Sequence, residues 1–344
     1  MPLRFLNRRD VRDLLPMGEC IERMADILTA LAKGEASHPL RSVFWLPGQP
    51  GQPGQPEQPE KARRDLMVSM PSERSAPPEK AALAMKVLTI FEGNHGAGLD
   101  SHLGFVLLFD GRRGEPVAIL DAATVTGIRT AAASAVATRL LAQEKASDLA
   151  ILGTGVQARS HLQAMREVRP VARVRVWSRD VSRAERFAAE MSAEHPLPVE
   201  AVASAEAAVA GADLICTTTA AREPVLSGEW LSPGTHVNAV GACTPATREL
   251  DTRAVQRARF FGDRRESVLN EAGDFLIPKK EGAIGDAHLL GDFSDLLLGR
   301  VPGRLTPEDV TIFESLGIAV EDLAAAQHVY AKAVELGRGI ELEL

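Results

Sequence analysis

The sequence contains no apolar run of the ~18–20 residues that crossing a bilayer requires, no excess of basic residues, and few cysteines. Its 39 Lys and Arg against 46 Asp and Glu give a formal net charge of −7. That is the wrong sign for a face that meets phosphate backbones, so a nucleic-acid partner is excluded. The three cysteines, Cys20, Cys216 and Cys243, are far apart and make neither a zinc pattern nor an even disulfide framework. No His/Cys/Asp cluster has ligand spacing, so no metal is expected. The opening MPLRFLNRRD lacks the hydrophobic stretch of a secretory leader. These absences lead to the expectation of a cytoplasmic chain with no membrane partner.

What is present is ordinary globular composition, 45% hydrophobic and 25% charged, over 344 residues. That length exceeds one comfortable core and predicts two domains. The most informative stretch is DLAILGTGVQARSH, from Asp148 to His161. A short apolar strand feeds Gly153, Thr154, Gly155, Val156, Gln157 and Ala158, and a helical segment follows, which is the dinucleotide-binding fingerprint in its proper context. Gly153 permits the tight turn, Gly155 lets backbone approach a pyrophosphate, and Ala158 keeps the helix close to its strand. The unpaired N–H groups of that helix's first turn then face the anion.

Around the fingerprint the rhythm of the chain changes. Ile21, Met24, Ala25, Leu28, Leu31 and Ala32 recur at helical spacing, closed by Gly34. The segment GQPGQPGQPEQPE, between Pro47 and Lys61, reads as an extended, solvated insertion between two strands. Runs at Leu66–Met70, Ala82–Phe91, Gly104–Asp110 and Val117–Leu120 predict an antiparallel meander. An alanine-rich helix over Thr126–Gln143 leads into the fingerprint strand. Beyond it, strands near Arg173–Trp177, Glu200–Val202, Leu214–Thr217, Thr235–Val240 and Arg259–Gly262 alternate with polar helices. This predicts a doubly wound parallel sheet. The tail after Leu316 reads as an amphipathic helix packed back on the first domain. The expected fold is α/β, with a Rossmann NAD(P)-binding domain (126–316) inserted in a split α+β substrate-binding and dimerisation domain (1–125 and 317–344).

Cofactor choice follows from the second Rossmann strand. It ends in Ser178 and Arg179, with Arg183 one helical turn on; a hydroxyl and guanidinium suit a 2′-phosphate, so NADPH is expected over NADH. Asp180 is the competing feature, since an acid there would suit the ribose of NADH. Thr217, Thr218, Thr219 and Val240, at later strand ends, are expected to face the nucleotide. Among cations, Lys86 interrupts an apolar strand, an expensive place for an ammonium unless it is paired or lies on a solvated face. Arg129 is expected at the start of the alanine-rich helix, where a guanidinium and the helix dipole could hold one carboxylate together.

KVLTIFEGN (86–94), the 98–121 hairpin region, TGIRTAAASAVAT (126–138), ILGTGVQA and FESLGIAVEDLAAA (313–326) together resemble the ornithine cyclodeaminase/μ-crystallin family, in order and over nearly the whole chain. The resemblance implies a homodimer and hydride transfer at the α-carbon of amino or imino acids. It also implies that Arg41, Lys86 and Arg129 hold the substrate carboxylate, with Lys86 catalytic. Two departures separate the chain from true cyclodeaminases: Cys243 stands where they carry a catalytic aspartate, and Val68 where they carry a glutamate. Cyclodeamination needs a carboxylate base, so the resemblance is closer to the ketimine-reductase branch. The expected activity is NAD(P)H-dependent reduction of a small-molecule α-imino acid such as pyrroline-2-carboxylate or piperideine-2-carboxylate. Rivals are an alanine or N-alkyl amino-acid dehydrogenase, and an NADPH-holding protein without turnover. His95 and His102, in a nearby glycine-rich loop, are further candidate proton donors.

Overall fold

The computed structural model describes residues 2–46, 65–91, 93–94 and 99–343. The Pro/Gln-rich segment and His95 lie outside the described residues. The chain begins with β1 (Pro2–Leu6), α1 (Arg8–Leu14), α2 (Met17–Ala32), β2 (Ala36–Ser37) and β3 (Ser42–Trp45). It continues with β4 (Leu66–Arg74), β5 (Ala82–Ile90), β6 (His102–Asp110), β7 (Pro116–Asp121), α3 (Ala122–Leu141), β8 (Asp148–Leu152), α4 (Val156–Val168), β9 (Arg173–Trp177) and α5 (Val181–Glu194). Then come β10 (Val199–Ala201), α6 (Ala205–Val209), β11 (Leu214–Thr217), β12 (His236–Ala239), α7 (Thr252–Arg257), β13 (Ala258–Gly262), α8 (Arg265–Glu271) and α9 (Gly273–Lys280). The last elements are β14 (Leu289–Asp292), α10 (Phe293–Leu297), β15 (Val310–Glu314), α11 (Ala319–Glu335) and β16 (Ile340–Glu343).

Two compact units form. The first comprises residues 1–16, 34–126 and 319–344. Its sheet runs β16-β1-β7-β6-β5-β4-β2, with β3 also paired to β4. Strands β4 to β7 form the expected antiparallel meander, whereas β1 joins β7 in parallel. Period-two alternation sorts the two faces. Leu66, Val68, Met70, Ala82, Ala84, Leu88, Val106 and Leu108 are buried, on the face covered by α11. On the opposite face Phe44, Met67, Leu83, Leu103 and Phe105 are exposed.

The second unit comprises residues 17–33 and 127–318. Its eight strands run β10-β9-β8-β11-β12-β15-β13-β14, every pair parallel. The order reverses between β8 and β11, which opens a ligand crevice at the carboxyl ends of these strands. The expected division at 125/126 and 316/317 lies within two residues of this partition, except that α2 groups with the second unit. Its apolar stripe (Cys20, Ile21, Met24, Ile27, Leu28) is fully buried and packs on α4 and α10, so burial, not sequence proximity, assigns it. Among the described residues no helix is long and apolar enough to cross a membrane.

Candidate active site

The fingerprint forms the turn it needs. Gly153 has φ +123°, and a Cβ on it would stand 2.6 Å from the Thr218 hydroxyl and 2.7 Å from its carbonyl oxygen, so only glycine fits. Gly155 is the N-cap of α4 and no side chain caps that helix. A Cβ on Gly155 would meet nothing within 4 Å. Thr154 and Gln157 are half-buried, Val156 is exposed, and Ala158 is fully buried. The first-turn N–H groups of α4 therefore border open space beside a turn in which Gly153 and Gly155 carry no side chain. This cradle fits a pyrophosphate.

A cleft of about 610 Å³ lies beyond the ends of β9 and β11, lined among others by Trp177, Arg179, Ser204, Arg222 and Trp230. At its rim Ser178 is half-buried and Arg179 exposed. Asp180 is spent locally: its carboxylate accepts from the Ser182 hydroxyl at 2.7 Å and the Ser182 N–H at 3.0 Å, capping α5. Those bonds, the Ser182 hydroxyl foremost, hold its carboxyl below the usual range. Arg183 lies 3.5 Å from the same carboxylate, so of the three residues expected to take a 2′-phosphate, Arg183 already has an anionic neighbour.

The strand-end threonines require a correction. Thr217 is fully buried and its hydroxyl donates to Glu249 at 2.8 Å. Thr219 donates its hydroxyl to the same carboxylate at 2.6 Å, and Thr218 donates to the Leu152 carbonyl at 3.2 Å. All three hydroxyls are bonded within the protein, two to the buried acid Glu249 and one to a backbone carbonyl. Val240 is buried and its N–H donates to Thr217. Cys243 is half-buried, its thiol 3.3 Å from the Val240 carbonyl. Around these strand ends burial pushes Glu249, Glu314 and, in the first turn of α9, Asp274 above the ordinary carboxyl range. For Asp274 the charge on Glu249 adds to the rise.

In the first unit Lys86 is 2% exposed, on a strand with neighbours on both sides. Its ammonium lies 2.7 Å from the carboxylate of Asp322 and donates to the Thr126 hydroxyl at 3.4 Å. A solvated lysine face is thereby ruled out. Asp322, in the first turn of α11, is the partner of Lys86 that sequence reasoning missed. Its trace was an acidic pair, Glu321 and Asp322, inside an alanine-rich helix whose other residues are mostly apolar. Val68, the second departure, lies with Leu66, Met70, Leu88 and Ala319 in an apolar cluster. Arg41 is half-buried just before β3. His102 is exposed and bonded to the Ser101 hydroxyl.

Arg129 belongs to the second unit and is 3% exposed. Its expected place at a helix start is wrong. The Asp121 carboxylate accepts from the Thr124 N–H at 2.8 Å, so α3 begins at Ala122 and Arg129 sits two turns in. A helix dipole fades within the first turn, so it adds nothing there. What frames Arg129 is Gly317, whose backbone passes so close that a Cβ would be 2.6 Å from Nη1. The Gly317 and Leu316 N–H groups both donate to Asp263, at 2.6 and 2.8 Å. Among the described residues no group of three or more His, Cys, Asp or Glu could hold a metal.

The sequence profile of the ornithine cyclodeaminase/mu-crystallin family matches residues 6–337. The chain is similar to the ketimine reductase mu-crystallin of Mus musculus, 41% identical over 249 residues that span 72% of this chain and 75% of that protein. It is similar in structure to the Δ1-pyrroline-2-carboxylate reductase of Thermococcus litoralis in complex with NADH and L-proline. That likeness has 35% identity and a TM-score of 0.91, over 99% of this chain and 100% of the other. An archaeal alanine dehydrogenase dimer with bound NAD is similar at 26% identity and TM-score 0.88, over 100% of both chains.

Proposed function

The chain belongs to the ornithine cyclodeaminase/mu-crystallin family and is an NAD(P)-dependent oxidoreductase; from that premise we propose that it reduces a cyclic α-imino acid to the L-amino acid. The substrate class is that of Δ1-pyrroline-2-carboxylate and Δ1-piperideine-2-carboxylate. The observation that carries this reading is Lys86, an ammonium buried against Asp322, in a chain that has Cys243 and Val68 in place of the carboxylates cyclodeamination needs. Similarity to a reductase solved with NADH and L-proline supports it.

In this reading Arg41, Lys86 and Arg129 hold the substrate carboxylate, which fixes the α-carbon in place; such positioning can supply much of a rate enhancement. A bound reduced nicotinamide supplies the hydride that the C=N carbon receives. Lys86 gives a proton to the imine nitrogen, and Asp322 compensates the buried ammonium whenever it is charged. Ser178 and Arg179 favour NADPH over NADH, since Asp180 is engaged in capping α5 and does not reach for a ribose. A second copy of the chain covers the apolar outer face bearing Phe44, Met67, Leu83, Leu103 and Phe105, where a solvated sheet would carry polar residues. Sedimentation tests this last point: the wild type should run as a dimer and Phe105→Glu as a monomer, and a monomeric wild type would remove the partner.

Loss of reduced-nicotinamide absorbance tests the activity. The expected result is oxidation of NADPH, faster than NADH, with either cyclic imine. Oxidation only with pyruvate or glyoxylate plus an amine would replace the reading by an amino-acid dehydrogenase, and silence across the panel would contradict it altogether.

A further inference from the structure

Glu249 is fully buried, and its carboxylate takes part in none of the chemistry above. Four donors converge on it. Oε1 accepts from the Thr219 N–H and the Thr219 hydroxyl, both at 2.6 Å. Oε2 accepts from the Thr217 hydroxyl at 2.8 Å and from the Gly241 N–H at 2.7 Å. A carboxylate offers about four lone-pair sites, and here all are filled.

The backbone of the same residue extends the network. Its N–H and that of Leu250 donate to Asp274 at 2.9 and 2.8 Å. Its carbonyl accepts from the N–H groups of Val225 and Leu226 at 2.7 and 2.9 Å. Val225 lines the 610 Å³ cleft. Thr218, held between Thr217 and Thr219, is the residue against which Gly153 turns. One residue thus ties the end of β11, the end of β12, the cleft wall and α9 into a single piece.

We infer that Glu249 is the positioning residue of the nucleotide cleft: it touches no cofactor itself, but fixes both the wall beside the adenosine end and the strand end under the pyrophosphate turn. The inference rests on the cleft being the NAD(P) site. Burial leaves the Glu249 carboxyl above its ordinary range, its four donors offsetting only part of that rise. The need for a carboxylate, not merely a polar side chain, follows from the donors. Glutamine would turn an NH2 group toward either the Thr219 or the Gly241 N–H, and neither backbone donor can become an acceptor.

The test is nucleotide affinity read from tryptophan fluorescence, since Trp177 and Trp230 line the cleft. In Glu249→Gln the Kd for NADPH should rise by about ten-fold or more, as expected for losing bonds to a charged acceptor. At saturating nucleotide, kcat and the imine KM should stay within about two-fold of wild type. A merely structural role would lower Tm and leave the Kd of the folded protein unchanged; that result overturns the inference. Thr217→Val provides a second variant in case Glu249→Gln does not fold. It keeps the carboxylate, removes one donor, and should raise Kd by about three-fold or more, while an unchanged Kd overturns the inference equally. A wild type that binds neither NADPH nor NADH would instead refute the nucleotide site, and the inference with it.

Discussion

A buried guanidinium needs neighbours that leave it room, and at Arg129 that neighbour is Gly317, at φ +78° with no side chain to displace the fork. Gly317→Ala combines a disfavoured backbone conformation with a contact of 2.6 Å to Nη1. The proposed role of Arg129 in holding the substrate carboxylate predicts an imine KM raised by about ten-fold, with the NADPH Kd within about two-fold of wild type. Steady-state kinetics and a nucleotide titration decide it; an unchanged KM would detach Arg129 from the substrate. At this scale Lys86 was legible in the sequence because a cation interrupts an apolar strand, and burial of an ammonium demands a partner. Its partner was not legible. Asp322 lies in a distant helix that only the folded topology brings to β5. The turn that frames Arg129 was hidden for the same reason, being set by Asp263 from another strand end.

Elements were readable where local physics determines them. The fingerprint strand and α4 follow from an apolar run, two glycines and a helical pattern, and the meander β4 to β7 follows from period-two alternation. The start of α3 was misplaced because Asp121, a side chain that belongs to the preceding strand, supplies the cap. The short strands β1 and β16 pair with each other at one end of the sheet, yet neither carries a pattern that would mark it alone. Strand β15, all of it buried, lacks alternation for the opposite reason: a parallel sheet covered on both faces buries every position, so its sequence does not distinguish it from a buried helix turn. The strand-end threonines illustrate the same limit. Their polarity was visible, but whether a hydroxyl meets a ligand or a buried Glu249 is decided by residues on other elements.

For the whole molecule, two sheets of opposite character divide the labour. The parallel sheet offers a crevice where its strand order reverses and a glycine turn that admits a pyrophosphate. The mixed sheet buries the Lys86 ammonium on one face and exposes Phe44, Met67, Leu83, Leu103 and Phe105 on the other. The fingerprint identified the cofactor class. The proposed substrate class rests on the buried Lys86–Asp322 pair and on the family resemblance that sets Cys243 and Val68 where cyclodeaminases carry acids. The most direct measurement is isotopic. The enzyme is given Δ1-pyrroline-2-carboxylate and NADPH stereospecifically deuterated at the transferable ring position, each epimer in turn, and the product is examined by NMR. The account predicts L-proline with a single deuterium on the α-carbon from one epimer. Proline without label from both epimers, or nucleotide oxidation without proline, would contradict it.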